Sequence, residues 1–294
     1  MKLINANTIQ RQNRFIGQIF PQIYEIYDKY LDSEKESYAY AFEMNLDKKM
    51  DDDFVQQTVL IDSYVLIPVE PVRMNTIHSQ KVEFDQDAID EILALFGYNP
   101  KSVRKYTESN GNILFIDSSS TLKLHPATGY IEYTSTESGA LSLLGDGKLS
   151  SVASASGKLI DDIFKLFSID KNVTLFINSP LDNDSATDYT ITFDYLFAGN
   201  VIKNADHSCK IVISNGKIRS FYANVKNYVK LSDTNEENAL DVLGNLYSAL
   251  NQETLVINSL FTGYTDTLGE MSLEWQVMLD GSDEILTVAS DEQQ

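Results

Sequence analysis

Three short stretches of the chain place apolar residues at helical spacing. In Asp85–Phe96, residues Ile89, Ile92, Leu93 and Phe96 share one side. In Ser156–Phe167 the side is Leu159, Ile160, Ile163, Phe164 and Phe167, and in Asn235–Leu250 it is Leu240, Leu243, Leu246, Tyr247 and Leu250. Each stretch follows polar residues able to cap a helix. A helix with one apolar side must lay it on something flat and apolar. Ile9–Leu31 is also amphipathic, through Phe15, Ile16, Ile19, Phe20, Ile23 and Ile26, with Pro21 kinking or splitting it.

Between these helices the pattern alternates, which reads as strands. "SYAYAFEMNL" reads as one strand, and "VQQTVLIDSYVLIPV" is β-rich up to Pro68 and Pro71. "GNILFIDSSSTLKLHPATGYIEYT" follows the first helix; "NVTLFIN", "DYTITFDYLF" and "SCKIVISNGKIRSFYANVKNYVKL" follow the second; "TLVINSLFTGY" and "SLEWQVML" follow the third. The fold class is therefore α+β, built of repeated units of a short helix packed on antiparallel β hairpins or sheet. Three segments are expected: 1–80, an N-terminal helix and strands packed on the first unit; 81–147, the first helix-plus-sheet unit; and 148–294, the C-terminal helix-plus-sheet units.

Hairpin turns set the register. Asn215-Gly216 is the signal for a two-residue type I′ turn, which pairs Ser214 with Lys217 and Ile213 with Ile218. "HPATGY" places Gly129 at another turn. Near the end, "SLEWQVML" and "EILTV" flank Asp280–Asp283. A four-residue loop sets Leu279 opposite Glu284, Val277 opposite Leu286 and Trp275 opposite Val288, and gathers an apolar patch. A two-residue loop would set Val277 against Glu284. Trp275, the single tryptophan, thus reads as a hairpin core residue, buried against the Asn235–Leu250 helix or its neighbours.

Composition narrows the function classes. Hydrophobic residues make up 43% of 294, enough for a folded core, and 16 tyrosines suit half-buried strands. The formal charge of −20 repels phosphate backbones and anionic lipid, so no nucleic-acid partner is expected. The one cysteine, Cys209, excludes an intramolecular disulfide. No apolar run approaches the ~20 residues that span a bilayer, and the N-terminus lacks the apolar run of a signal peptide.

Motifs for chemistry are sparse. His78, His125 and His207 lack metal-ligand spacing. His207 and Cys209 lie two apart on a strand, about 7 Å between Cβ atoms and too far for a thiol–imidazole hydrogen bond. Asp182, Asp184 and Asp188 of "DNDSATD" fail a calcium loop, which wants Gly and Glu where Thr187 and Phe193 stand; a polar loop between strands is expected. Asp51–Asp53 reads as a solvated loop and "LLGDGKL" as a tight turn. No GxSxG occurs, and "SVASASGK" lacks phosphate-loop spacing and reads as a connection into the second helix. No catalytic residue, metal ligand or cofactor-binding residue is assigned; no cofactor and no enzymatic activity are expected.

The C-terminal half resembles a known pattern. In "TITFDYLFAGNVIKNADHSCKIVISNGKIRSFYANVKNYVKL" a strand ends in an apolar–Gly stretch and a hairpin turns at Gly216; the helix of "ENALDVLGNLYSAL" follows, then "LFTGYTDTLGEMSLEWQVMLDG" and a last strand. This order is similar to the YycH/YycI family, extracytoplasmic regulators of an essential two-component sensor kinase in Gram-positive bacteria, whose repeated unit is PepSY-like. The resemblance covers Tyr189–Val288, and more weakly Leu114–Thr134 with its Gly-turn and I-x-Y. Glu274 stands where the family carries Pro before the Trp. The resemblance implies a regulatory domain on the extracytoplasmic face of the membrane, with its anchor missing from this chain. The implied partner is a sensor histidine kinase or sister regulator, in a homo- or heterodimer, engaged through sheet edges and helix faces. The alternative is a soluble, cytoplasmic PepSY-like module that binds a peptide or inhibits a protease.

Overall fold

The computed structural model describes residues 38–44, 46, 58–136, 141–142, 149–178, 182–185, 188–203, 208–250, 254–266, 269–281 and 285–288. The amphipathic stretch Ile9–Leu31, the acidic Asp51–Asp53, most of "LLGDGKL" and His207 lie outside these residues. The first strands are β1 (Tyr38–Tyr40), β2 (Thr58–Ile61), β3 (Leu66–Pro68) and β4 (Val72–Lys81), followed by helix α1 (Gln86–Leu95). Next come β5 (Arg104–Thr107), β6 (Ile113–Ile116), β7 (Ser120–His125), β8 (Tyr130–Ser135) and helix α2 (Leu149–Phe164). Then follow β9 (Val173–Ile177), β10 (Asp182–Ser185), β11 (Asp188–Phe197), β12 (Asn200–Lys203), β13 (Cys209–Ser214), β14 (Lys217–Asn224) and β15 (Lys226–Glu237). Helix α3 (Ala239–Leu250) precedes β16 (Thr254–Thr265), β17 (Glu270–Ser272), β18 (Glu274–Leu279) and β19 (Ile285–Val288). The class is α+β, as the alternation of periods requires.

The chain divides into two compact units: His78–Ala198 with Ile202–Val229, and a second made of Met1–Ile77, Gly199–Val201 and Lys230–Gln294. The division does not coincide with a boundary at 147, because β8 and β14, on either side of it, pair directly, from Ser220 with Thr134 to Asn224 with Tyr130.

In the unit of His78–Ala198 and Ile202–Val229, an antiparallel sheet runs β11-β13-β14-β8-β7-β6-β5, and β9 and β10 pair with the far side of β11. The registers align one row across six strands: Phe115, Leu122, Tyr133, Phe221, Ile211 and Ile191 stand successively opposite one another. All six are buried. The next row, Leu124, Ile131, Ala223, Cys209 and Phe193, is buried too. Period-2 alternation puts both rows on one face. Onto it fold Ile89, Ile92, Leu93 and Phe96 from α1 and its end, and Val152, Leu159, Ile160 and Ile163 from α2, all in one apolar cluster. Asp85 caps α1 by accepting from the Ala88 N–H at 2.8 Å. The Asn215-Gly216 turn forms as expected: both residues have positive φ, and Ser214–Lys217 and Ile213–Ile218 are opposite. A bulge follows between Val212 and Ile213.

In the other unit, β16 is flanked by β2, in parallel, and by β18, antiparallel; β19 then pairs with β18. The last hairpin has the four-residue register, with Trp275 opposite Val288 and Val277 opposite Leu286. Helix α3 lies alongside β19. β1 and β3 form a separate antiparallel pair. The Leu273 N–H, just after β17, donates to the Asn75 carbonyl of β4 at 2.8 Å.

Four readings of the sequence are corrected, and β18 adds a feature that alternation did not predict. "SVASASGK" lies inside α2, which starts at Leu149: Val152 and Ser156 extend the apolar side of Leu159, Ile160 and Ile163 by two turns, and Ser156 is small enough to be fully buried there. Helix α3 starts at Ala239, since Asn235–Glu237 continue β15 and the Asn238 side chain caps the helix through the Leu240 N–H (2.9 Å). Its buried side includes Val242 and leaves Leu240 exposed. "SYAYAFEMNL" is a strand only at Tyr38–Tyr40, because the Glu43 carboxylate accepts from the Tyr40 N–H (2.8 Å) and closes a turn. Asp182–Ser185 is strand β10, a hairpin arm on β11, rather than loop. β18 is buried on both faces, with Gln276 and Met278 as covered as Trp275 and Val277. Gln276 lies across Gly263, where a Cβ would stand 3.1 Å from its Nε2.

Candidate functional site

In the unit of His78–Ala198 and Ile202–Val229, the face of the sheet opposite the helices carries a different row. Tyr106, Leu114, Lys123, Glu132, Tyr222 and Lys210 follow one another across β5, β6, β7, β8, β14 and β13. Its centre is a charge ladder. Lys123 Nζ sits 2.9 Å from Glu108 and directly opposite Glu132, which in turn lies 3.3 Å from His125 Nε2. Lys123 first, and then Asn112, hold the Glu108 carboxyl below its usual range. Tyr130 and Tyr222 lie beside the ladder with their rings tilted by 32° and 5.3 Å between centroids.

This face ends at β5, which pairs on one side with β6 and stands at the end of the sheet among the described strands. The Glu108 N–H donates to the Asn112 carbonyl (2.9 Å), so even-numbered residues of β5 turn their backbone groups to β6. By alternation, the N–H and C=O of Lys105 and Thr107 point away from the sheet. The outward N–H of Val103 is already taken by the Asn99 carbonyl at 3.0 Å. Side chains here are exposed: all four residues of β5, including Tyr106 at 52%, and Lys101 just before it. Lys101 and Arg104 have no acidic partner among the described residues, and Lys105 has its ammonium 5.9 Å from the Phe115 ring centroid. Nearby acids are engaged elsewhere. Glu108 holds Lys123, and Asp117 accepts from the N–H groups of Ser119 (2.7 Å) and Ser120 (2.6 Å). Burial pushes the Asp117 carboxyl up, but those hydrogen bonds outweigh it and leave it below the usual range.

A second feature of the same unit is a shallow cavity of about 630 Å³ along α2, with Leu95, Leu141 and Leu159 on its apolar side and Ser150, Ser154 and Lys158 on its polar side. Among the described residues, no histidine or cysteine lines it.

The residues weighed in the sequence do not converge. His78 is half-buried on β4 and His125 sits at the end of β7, beside Glu132. Cys209 is fully buried in a core row, and burial pushes its thiol well up, which keeps it protonated and inert. Asp182 and Asp188 fall on paired strands, opposite Thr190 and Ser185. Trp275 is 1% exposed and is no ligand platform. Among the described residues no group of three or more His, Cys, Asp or Glu could hold a metal ion. No described helix is long and apolar enough to cross a membrane. The exposed edge was missed in the sequence, although a signal was present: three cations within Lys101–Lys105, in a chain of net charge −20.

No protein-family profile matches this chain, and no curated protein matches it. Among solved structures it is similar to YycH from Bacillus subtilis, at 16% identity and a TM-score of 0.45. The similarity covers 78% of this chain and 55% of that one, so the chain spans about half the length of the YycH it matches. No residue role is carried over from it.

Proposed function

We propose that this chain is a non-enzymatic interaction domain that acts on the extracytoplasmic side of the membrane and modulates a sensor histidine kinase, as YycH/YycI proteins do. The observation that carries the interaction reading is the open edge of β5, where outward backbone groups, exposed Tyr106 and cations with no acidic partner among the described residues lie together. Unpaired strand edges are templates for another chain unless blocked. The order of elements in Tyr189–Val288, which resembles the YycH/YycI pattern, supports the kinase or a sister regulator as that partner. The test is autophosphorylation of the source organism's essential sensor kinase in lipid nanodiscs, with and without this protein. The expected result is a change of about fivefold, equivalent to roughly 1 kcal/mol of coupling. An unchanged rate at saturating protein, with no association by sedimentation, overturns the reading.

The cavity along α2 favours a second reading, a PepSY-like module that captures a peptide. Under it, Ser154→Trp, at an exposed position on the cavity's polar side, would fill the cavity and abolish peptide binding while leaving the kinase effect untouched.

A further inference from the structure

We propose that β5 is a docking edge for an extended, acidic segment of a partner protein, which adds to the sheet as its next strand. The proposal rests on the interaction reading above and names the chemistry of the partner's segment. Backbone geometry supplies the first half. Lys105 and Thr107 present N–H and C=O outward on an exposed strand, the arrangement that strand addition requires. Native sheets protect such edges with bulges, proline or a covering loop. β5 pairs with β6 in unbroken register from Arg104–Ile116 to Thr107–Ile113, and "RKYT" contains no proline.

Charge supplies the second half. Lysine on an edge also discourages pairing with a neutral or basic strand, so the edge selects its partner by sign. Arg104 lies on the open face with Tyr106, while Lys105 faces the helix-covered side, opposite Phe115. A partner strand carrying carboxylates therefore meets a cation on either face. Lys101 precedes the strand and adds a third charge at its start. The acids nearby, Glu108 and Asp117, are held by Lys123 and by the Ser119 and Ser120 amides. Tyr106 offers a flat, amphipathic surface beside the docked strand. Nucleic acid fits poorly, because a −20 protein repels a long polyanion while a short acidic segment needs only the local cations.

The experiment uses the whole chain and fluorescein-labelled peptide Glu-Val-Glu-Val-Glu-Val, with Lys-Val-Lys-Val-Lys-Val as control, read by fluorescence anisotropy. The acidic peptide is expected to bind and the basic one not. Arg104→Ala with Lys105→Ala should weaken binding by about tenfold or more. Thr107→Pro should weaken it similarly, because it removes an outward N–H that β6 does not use. Circular dichroism of both variants should match the parent. Hydrogen exchange on peptide binding should slow at the amides of Lys105 and Thr107 and stay unchanged at Arg104 and Tyr106. Absence of binding at about 1 mM peptide overturns the proposal. So does a Thr107→Pro variant that binds as the parent does, which would make the site a charge patch without strand pairing. Equal competition by heparin or anionic phosphatidylglycerol vesicles overturns it in favour of a general polyanion surface. Self-association of the chain that Thr107→Pro abolishes, without peptide binding, overturns it in favour of a second copy. The kinase assay is independent of these outcomes, so peptide failure and failure of the regulatory reading are told apart.

Discussion

Gly129→Ala should be among the most damaging single-methyl substitutions in this protein. Gly129 ends the β7–β8 turn with φ +84°, a region that costs an L-residue about 1–2 kcal/mol. A Cβ there would also stand 2.4 Å from the carbonyl oxygen of Val225, which is backbone and cannot rotate away. Relief requires the two segments to separate, at the expense of the Val225 N–H to Gly129 carbonyl hydrogen bond (3.0 Å), worth about 1 kcal/mol. Overpacking of the adjoining core adds about 1–3 kcal/mol. The sum is roughly 3–6 kcal/mol, a large part of the stability of an ordinary domain. Gly111 is the control: its φ is +85°, and nothing lies within 4 Å of its Cβ position. Gly111→Ala should therefore cost only the backbone part, about 1–2 kcal/mol. Guanidinium unfolding followed by hydrogen exchange of peptides covering β7 and β8 reads this unit by itself. If the two variants fall within about 1 kcal/mol of each other, the close approach at Val225 is not what fixes Gly129, and the reasoning fails.

Two further outcomes follow from burial. Trp275→Ala should cost about 3–5 kcal/mol in its unit, whereas Trp275→Phe should cost less than about 1.5, since the indole Nε1 has no hydrogen-bond partner among the described residues; chemical denaturation of the pair measures it. Burial pushes the Cys209 thiol and the Tyr264 phenol up, so the folded chain keeps these protons to higher pH than the unfolded chain. Their stabilisation is complete below the ordinary thiol and phenol values, about 8.5 and 10, and is lost as pH rises past them; the guanidinium midpoint should fall above about pH 9, and native Cys209 should not react with a thiol reagent at pH 8.

The sequence made the hairpins legible down to register, because turn chemistry is local. Asn215-Gly216 needs positive φ at both residues, and the position of Leu286 and Val288 decides the loop length at Asp280. Helix starts were less legible. Val152 and Ser156 belong to α2, but a small buried serine does not register as an apolar position. Leu240 and Val242 compete for one side of α3, and only the packed partner decides between them. Both-face burial of β18 was invisible for a similar reason: Gln276 is covered because Gly263, on another strand, leaves room for it. The β5 edge depended on topology. "KSVRKY" announced its charge, but which strand ends a sheet is settled by pairings tens of residues away.

The parallel pairing of β2 with β16 also bears on how the protein is made. Thr58 opposes Thr254, so β2 emerges from the ribosome with its partner still untranslated for roughly 200 residues. At about 5–20 residues per second, that wait is on the order of 10–40 s. During it the unit of His78–Ala198 and Ile202–Val229 is synthesised in full and can fold, while "TVLI" remains an unpaired apolar segment. Nascent chains stalled before Thr254 should therefore be the species that recruits chaperones, and a slow-translating tract between the codons of Ile61 and Thr254 would lengthen their exposure.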